Sequence, residues 1–331
     1  MSSRSRSIGI GIASVIAIGA VLFGAAQLAA RHYQPIVQPD PAAALDFGVN
    51  QQQHEAQGYG ADSARVDSQV TFRIPAGQAG AVYEYLKGKY VGQTGILKEQ
   101  FPGIDLHGQP MSDVSIFTDE YFDTPGLELY QTRNSARHRI RVNTTNPEDR
   151  KSGRELVQMK VTPAGQFDLR SEFKYKVKRS AKHDSPDDIH PLIGLVSKSQ
   201  RADFKKVFAD AGIDPVSLKH VFTIEQTRSR GYLNWGDTNI MSFSVDEGSA
   251  DLLWAKGTFA SVDLGLVEKG YTEADEARRK TMWAIRDAVI ADLKAQFPDL
   301  TQTTNSKYGI VMGQLIEQIP LIPALFVFQV I

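Results

Sequence analysis

Residues 135–143 read SARHRIRVN, with Arg137, Arg139 and Arg141 at every second position. A period of two is the spacing of one face of a β-strand. The same pattern recurs. In 154–162 the face carries Arg154, Gln158 and Lys160; in 168–178 it carries Asp168, Arg170, Glu172, Lys174, Lys176 and Lys178. In 218–233 it carries Gln226, Arg228 and Arg230 together with Phe222, Ile224 and Tyr232. A guanidinium offers a planar fork and an ammonium a point charge, so such rows suit the oxygens of a phosphate chain. On one strand, a charged face is most simply the solvated side of an antiparallel sheet. Four strands in one barrel are different if helices cover the apolar faces. The charged faces then turn inward, and an interior with about ten Lys and Arg persists only with a polyanion or matched acids inside.

The elements that must position these rows are strands over 66–74, 114–123, 135–143, 154–162, 168–178, 218–233, 239–247 and 259–268. Short loops such as TPAGQ and WGDTN join some of them. Helical periodicity covers 80–91, 127–132, 200–211 and 273–296, the last with Thr272 and Asp275 at its start and Met282, Ile285, Val289 and Leu293 along its apolar stripe. The expected fold is α+β, mainly antiparallel β: an eight-stranded, tunnel-like barrel with helices packed outside.

With 331 residues and 42% hydrophobic composition, the chain can bury a sound core. A net charge of −1 argues against nucleic acid as the partner. The absence of cysteine excludes disulfides, thiolate catalysis and cysteine-ligated metals. The seven histidines show no H-x-x-x-H spacing, and there is no G-x-S-x-G elbow, Walker loop or dinucleotide fingerprint. His138 and His220 read as packing or surface residues. Asp119 and Glu120 read as solvent-facing, with a role at a tunnel mouth as the alternative.

Arg4 and Arg6 precede an apolar run from Ile8 to Ala30, long enough to cross a bilayer and oriented by its basic start to place the body outside the cytoplasm. Residues 1–32 are therefore expected to be a membrane anchor, or a signal peptide cleaved to release a secreted body. Residues 33–65, rich in Pro, Ala, Gln and Gly, read as a flexible linker. The body spans 66–314, and 315–331 form an apolar tail, too short to span a membrane, that docks on the barrel or lies in the membrane interface.

Several motifs together resemble the CYTH domain of the triphosphate tunnel metalloenzyme superfamily. YFDTPGLEL resembles its Tyr-(Tyr/Phe)-Asp-Thr-Pro signature, RHRIRV the following arginine strand, LVQMKV the strand carrying its basic lysine, and DLRSEF its Arg-x-Glu strand. TRSRGYL, SVDEG and NSKYG resemble the late arginine strand, the Asp strand and the terminal Ser-Lys element, so the match covers about 66–314. The resemblance implies an eight-stranded antiparallel tunnel for triphosphate-bearing or polyphosphate substrates, with Mg2+ or Mn2+ held by glutamates. It makes Arg139, Arg141, Lys160, Arg170, Arg228 and Lys307 phosphate contacts, joined on the same faces by Arg137, Lys174 and Arg230. Glu172 becomes the catalytic and metal-site carboxylate.

The sequence departs from the family where metal chemistry needs it. The first strand, Glu-x-Glu-x-Lys in the family, reads Asp67, Gln69 and Thr71, with Arg73 at the same parity. The late Glu-x-Glu strand keeps only Asp263, followed by Gly265, and Gln226 stands where a lysine is expected. Hard divalent ions in phosphoryl transfer need carboxylate oxygens. Asp67, Glu172, Asp246 and Asp263 are the inward acids, enough for one ion at most. The expected function is a membrane-tethered, extracytoplasmic domain that binds inorganic polyphosphate or a triphosphate-bearing small molecule, with hydrolysis weakened or lost. The alternatives are an active metal-dependent triphosphatase or polyphosphatase, and a basic interaction module for anionic glycans or lipids. The two classes are separated by whether the basic residues converge in one cavity or spread over an outer surface.

Overall fold

The computed structural model describes residues 64–67, 69–142, 154–161, 170–179 and 184–328. The anchor or signal peptide and all but the last two residues of the linker lie outside the described residues. Among the described residues no helix is long and apolar enough to cross a membrane.

The strands are β1 Ala64–Asp67, β2 Val70–Arg73, β3 Leu106–Asp123, β4 Ser135–Val142, β5 Arg154–Val161, β6 Arg170–Lys176, β7 Lys219–Trp235, β8 Thr238–Leu252, β9 Ala255–Leu266 and the short β10 Thr301–Thr303. They form one antiparallel sheet in the order β1-β6-β5-β4-β3-β7-β8-β9-β2-β10. β1, at one end of this order, and β2, next to the other end, are neighbours in sequence. β1 pairs with β6, β2 pairs with β9, and only two residues separate β1 from β2. Counted as one interrupted strand, β1 and β2 bring the ring to eight strands. The hydrogen-bonded ladder is not continuous round it; the chain itself bridges the seam.

β3 begins eight residues before the alternation that marks it in sequence. Gly108 and Pro110 break the pattern there, yet pairing with β7 extends from Asp123 back to Leu106, through register shifts. Gly108 is required by a close approach: a Cβ there would lie 1.6 Å from the carbonyl oxygen of Tyr90.

Helices cover the outside in two groups. α1 Ala79–Tyr90 and a later helix, Glu276–Gln296, bury Val82, Leu86, Met282, Ile285, Val289 and Leu293 against the outer face of β7, β8 and β9. The helix Arg201–Asp210 buries Phe204, Val207 and Phe208 against Val157, Met159, Phe173 and Tyr175 of β5 and β6. The apolar faces of the strands are thus spent on the helices, and the charged faces are left inside. A third cluster closes one end. The helix Lys307–Gln318, here α7, and the short helix Ile322–Val327, α8, pack with Tyr121, Phe222, Ile224 and Phe259. There Tyr308 stacks on Tyr121 at 5.3 Å between ring centres. The C-terminal tail is therefore docked on the sheet, with Ile322 and Phe326 buried.

Candidate functional site

Register decides which interior side chains meet. Asp119 of β3 lies opposite Arg139 of β4, Lys160 of β5 opposite Glu172 of β6, Arg228 of β7 opposite Asp246 of β8, and Asp263 of β9 opposite Thr71 of β2. Each of these acids therefore faces a donor directly across a strand pair, where side chains are within hydrogen-bonding reach.

On the β3–β6 side, Asp119 is completely buried, against the solvent-facing placement expected from sequence. Its carboxylate accepts both bonds of the Arg139 fork at 2.6 Å, and a third from Arg137 at 3.0 Å. The error has a simple source: Asp119 shares the parity of Phe117 and Tyr121, but only the β3–β4 register shows that this parity faces the arginines. Arg137 also donates to Gln158 Oε1 and to the Tyr121 hydroxyl. Gln158 donates onward to Glu172 Oε1 at 2.9 Å, and Lys174 approaches Glu172 Oε2 at 3.1 Å, with Lys160 at 4.0 Å from Oε1. Burial alone would push the Asp119 carboxyl up, but Arg137 and Arg139 outweigh it and hold the group below its ordinary value.

On the β7–β9 side, Arg228 grips Asp246 bidentately at 2.6 and 2.8 Å, and Lys307, at the start of α7, also bonds to Asp246. Asp263 accepts from the Thr71 hydroxyl at 2.7 Å, with Arg228 and Lys307 at 3.8 and 3.9 Å. Burial, helped by the neighbouring Arg228, pulls the Lys307 ammonium down to about 8 despite Asp246. Burial and the nearby Asp246 raise the Asp263 carboxyl.

The two sides meet at a cavity of about 50 Å3 lined by Arg137, Lys160, Arg228, Ser261, Asp263 and Lys307, among others. The guanidiniums crowd together: those of Arg139, Arg141 and Arg228 lie 4.3, 5.9 and 5.7 Å from the ring centre of Phe117. Among the described residues, no hydrogen-bond partner reaches the Ser261 hydroxyl, either amide atom of Gln226 or Nε of Arg230 in this interior.

Of the expected phosphate contacts, Arg137, Arg139, Lys160, Arg228 and Lys307 are thus inside, with Lys174 beside Glu172. Arg141 is exposed at a rim, where it donates to Ser115 at 2.8 Å, and Arg230 is half-buried opposite Ser244. The side chains of Arg170 and Asp67 lie outside the described residues. Arg73 is exposed and does not line the cavity.

The metal set fares differently. Glu172, Asp246 and Asp263 are all buried, but each already accepts from an ammonium, guanidinium, amide or hydroxyl. Among the described residues, no group of three or more carboxylates or histidines could hold an ion. The donor set does not fit Mg2+ or Mn2+, because an ion would have to replace these bonds while sitting beside Arg228 and Lys307.

The signature aspartate, Asp123, is structural. Its two oxygens accept from the backbone N–H groups of Thr124, Leu129 and Tyr130 and from the Tyr308 hydroxyl, tying the turn after β3 to α7. Burial pushes its carboxyl up to about 6 against those donors.

No protein-family model and no curated protein matches the chain. Solved structures do. A putative adenylate cyclase from Bacillus halodurans is 10% identical, with a TM-score of 0.40, over 78% of this chain and 98% of its own. A putative adenylyl cyclase from Hippeastrum, described as having a dominant triphosphatase activity, is 13% identical, with a TM-score of 0.41, over 75% and 95%. The Pct1 RNA triphosphatase of S. pombe is 6% identical, with a TM-score of 0.35, over 78% and 98%. By its own strand order, the chain is an α+β protein with an eight-stranded tunnel-like barrel and helices outside.

Proposed function

We propose that this chain is a tunnel domain that binds triphosphate or short polyphosphate chains and has lost metal-dependent hydrolysis. One observation carries the reading: Arg137, Lys160, Arg228 and Lys307, from three strands and a helix, converge on one cavity rather than spreading over an outer face. Convergent basic groups in a partly dry interior bind phosphate oxygens far better than the same groups on a surface. The engaged carboxylates support the loss of hydrolysis. With residues 1–32 as anchor or signal, the domain works outside the cytoplasm, and inorganic polyphosphate suits that side.

The test is calorimetric titration of the protein with tripolyphosphate, with and without Mg2+ or Mn2+, followed by a phosphate-release assay on the same samples. Binding without metal and no release is the expected result. Metal-dependent release abolished by Glu172→Gln would instead establish a triphosphatase. Absence of binding would turn attention to anionic glycans or lipids. A reporter fused after residue 65 locates the body: activity only in the cytoplasm would remove the export reading.

A further inference from the structure

Asp119 stands out within this site because it is an anion already seated in the arginine fork. It receives three N–H bonds from Arg137 and Arg139, the donors a phosphoryl group would need, and it is shut off from water. We infer that Asp119 is a built-in competitor for the phosphate site: its carboxylate occupies the Arg137–Arg139 donors, and an incoming phosphate chain binds by taking them over. This rests on the tunnel's being a phosphate site.

Three observations support it beyond the ion pair itself. First, the Asp119 carboxylate already fills the donors of Arg137 and Arg139, so a phosphate oxygen reaches them only when it gives way. Second, Asp119 does not by itself satisfy both arginines: burial, Arg137 and Arg228 together lower the Arg139 guanidinium in spite of it. Third, the Ser261 hydroxyl on the cavity wall and the buried Gln226 amide have no hydrogen-bond partners among the described residues. A carboxylate has two oxygens to offer; a phosphate chain has more, and can reach these groups as well as the fork.

The competition also sets specificity. A single phosphate exchanges one small anion for another and gains little. A triphosphate spreads several charges over Arg137, Arg139, Lys160, Arg228 and Lys307 at once, so it displaces the carboxylate where orthophosphate does not.

The test compares wild type with Asp119→Asn by titration with tripolyphosphate and with orthophosphate. Asparagine keeps the shape and removes the competing charge. The expected result is tripolyphosphate affinity at least about tenfold tighter in the variant, equivalent to ~1.4 kcal/mol, and a smaller preference for tripolyphosphate over orthophosphate. Equal or weaker binding by a folded variant, while wild type binds, overturns the inference and leaves the tunnel reading standing. No binding by either protein removes both. Should the variant not fold alone, refolding is repeated with tripolyphosphate present. Recovery that depends on the polyanion supports the inference, and no recovery under either condition overturns it.

Discussion

The two halves of the tunnel interior use the same chemistry with different balance. Around Arg228 and Lys307, the acids Asp246 and Asp263 match the bases one for one. Around Arg137 and Arg139, the described acids are Asp119 and Glu172, and they face Arg137, Arg139, Lys160 and Lys174. The first half is neutral among its described residues. In the second, one fully buried carboxylate, Asp119, is shared by Arg137 and Arg139, and an anion that takes over these donors gains most where little water remains. Both halves have one carboxylate gripped bidentately by an arginine, so that geometry alone does not separate them. The further contact does: Asp246 adds a lysine and has Asp263 close to the same bases, whereas Asp119 adds a second arginine.

The largest expected effect tests that separation directly. Asp246→Asn leaves Arg228 and Lys307 buried without their shared counterion and should cost about 3–5 kcal/mol of stability, measured by urea unfolding. Tripolyphosphate should restore part of this by engaging Arg228 and Lys307. Full restoration by the polyanion would make the two halves equivalent and break the comparison.

The second prediction uses pH on the neutral half. The folded Lys307 titrates near 8, below the 10.5 of an ordinary lysine, so between these values the unfolded chain holds the extra proton. Stability should therefore rise as the pH increases from about 8 to about 10.5, by ~3 kcal/mol at most. Lys307→Met should remove this rise from the alkaline arm of the stability profile. A wild-type stability that falls monotonically there, with no difference from Lys307→Met, would show that the ammonium is as well solvated as any surface lysine.

The smallest effect sharpens the position of the entrance. Arg141 is exposed and borders the Asp119 half through Phe117. Arg141→Ala should weaken tripolyphosphate binding ~3–10-fold with stability changed by less than about 0.5 kcal/mol. An exposed lysine on a helix far from the tunnel, such as Lys206, serves as the control. Equal losses from both would mean that the anion senses only net charge. Charge reversal at Arg139 is a poor probe by contrast, since it would bury a second carboxylate against Asp119.

Much of the site was legible before the fold. The alternation in 135–143 and 168–178 placed Arg137 and Arg139 on one face of their strand and Glu172 on the charged face of its own, because which side chains share a face follows from sequence parity alone. The signature YFDTPGLEL located the turn held by Asp123. What parity could not supply was the partner of each charge. Asp119 lies eighteen residues before Arg137 in sequence and Lys307 sixty-one after Asp246, and nothing in composition says that either pair meets.

The sequence by itself therefore determined the strands, their two-faced character and the basic chemistry of one face, since these depend on local period and residue type. The tertiary structure alone decided that the charged faces turn inward, that the interrupted first strand links β6 to β9 and closes the ring, and that register sets each acid against a donor. The reason is physical: a charge's role depends on its neighbours across the sheet and on how much water remains between them, and both are properties of the closed barrel rather than of any strand.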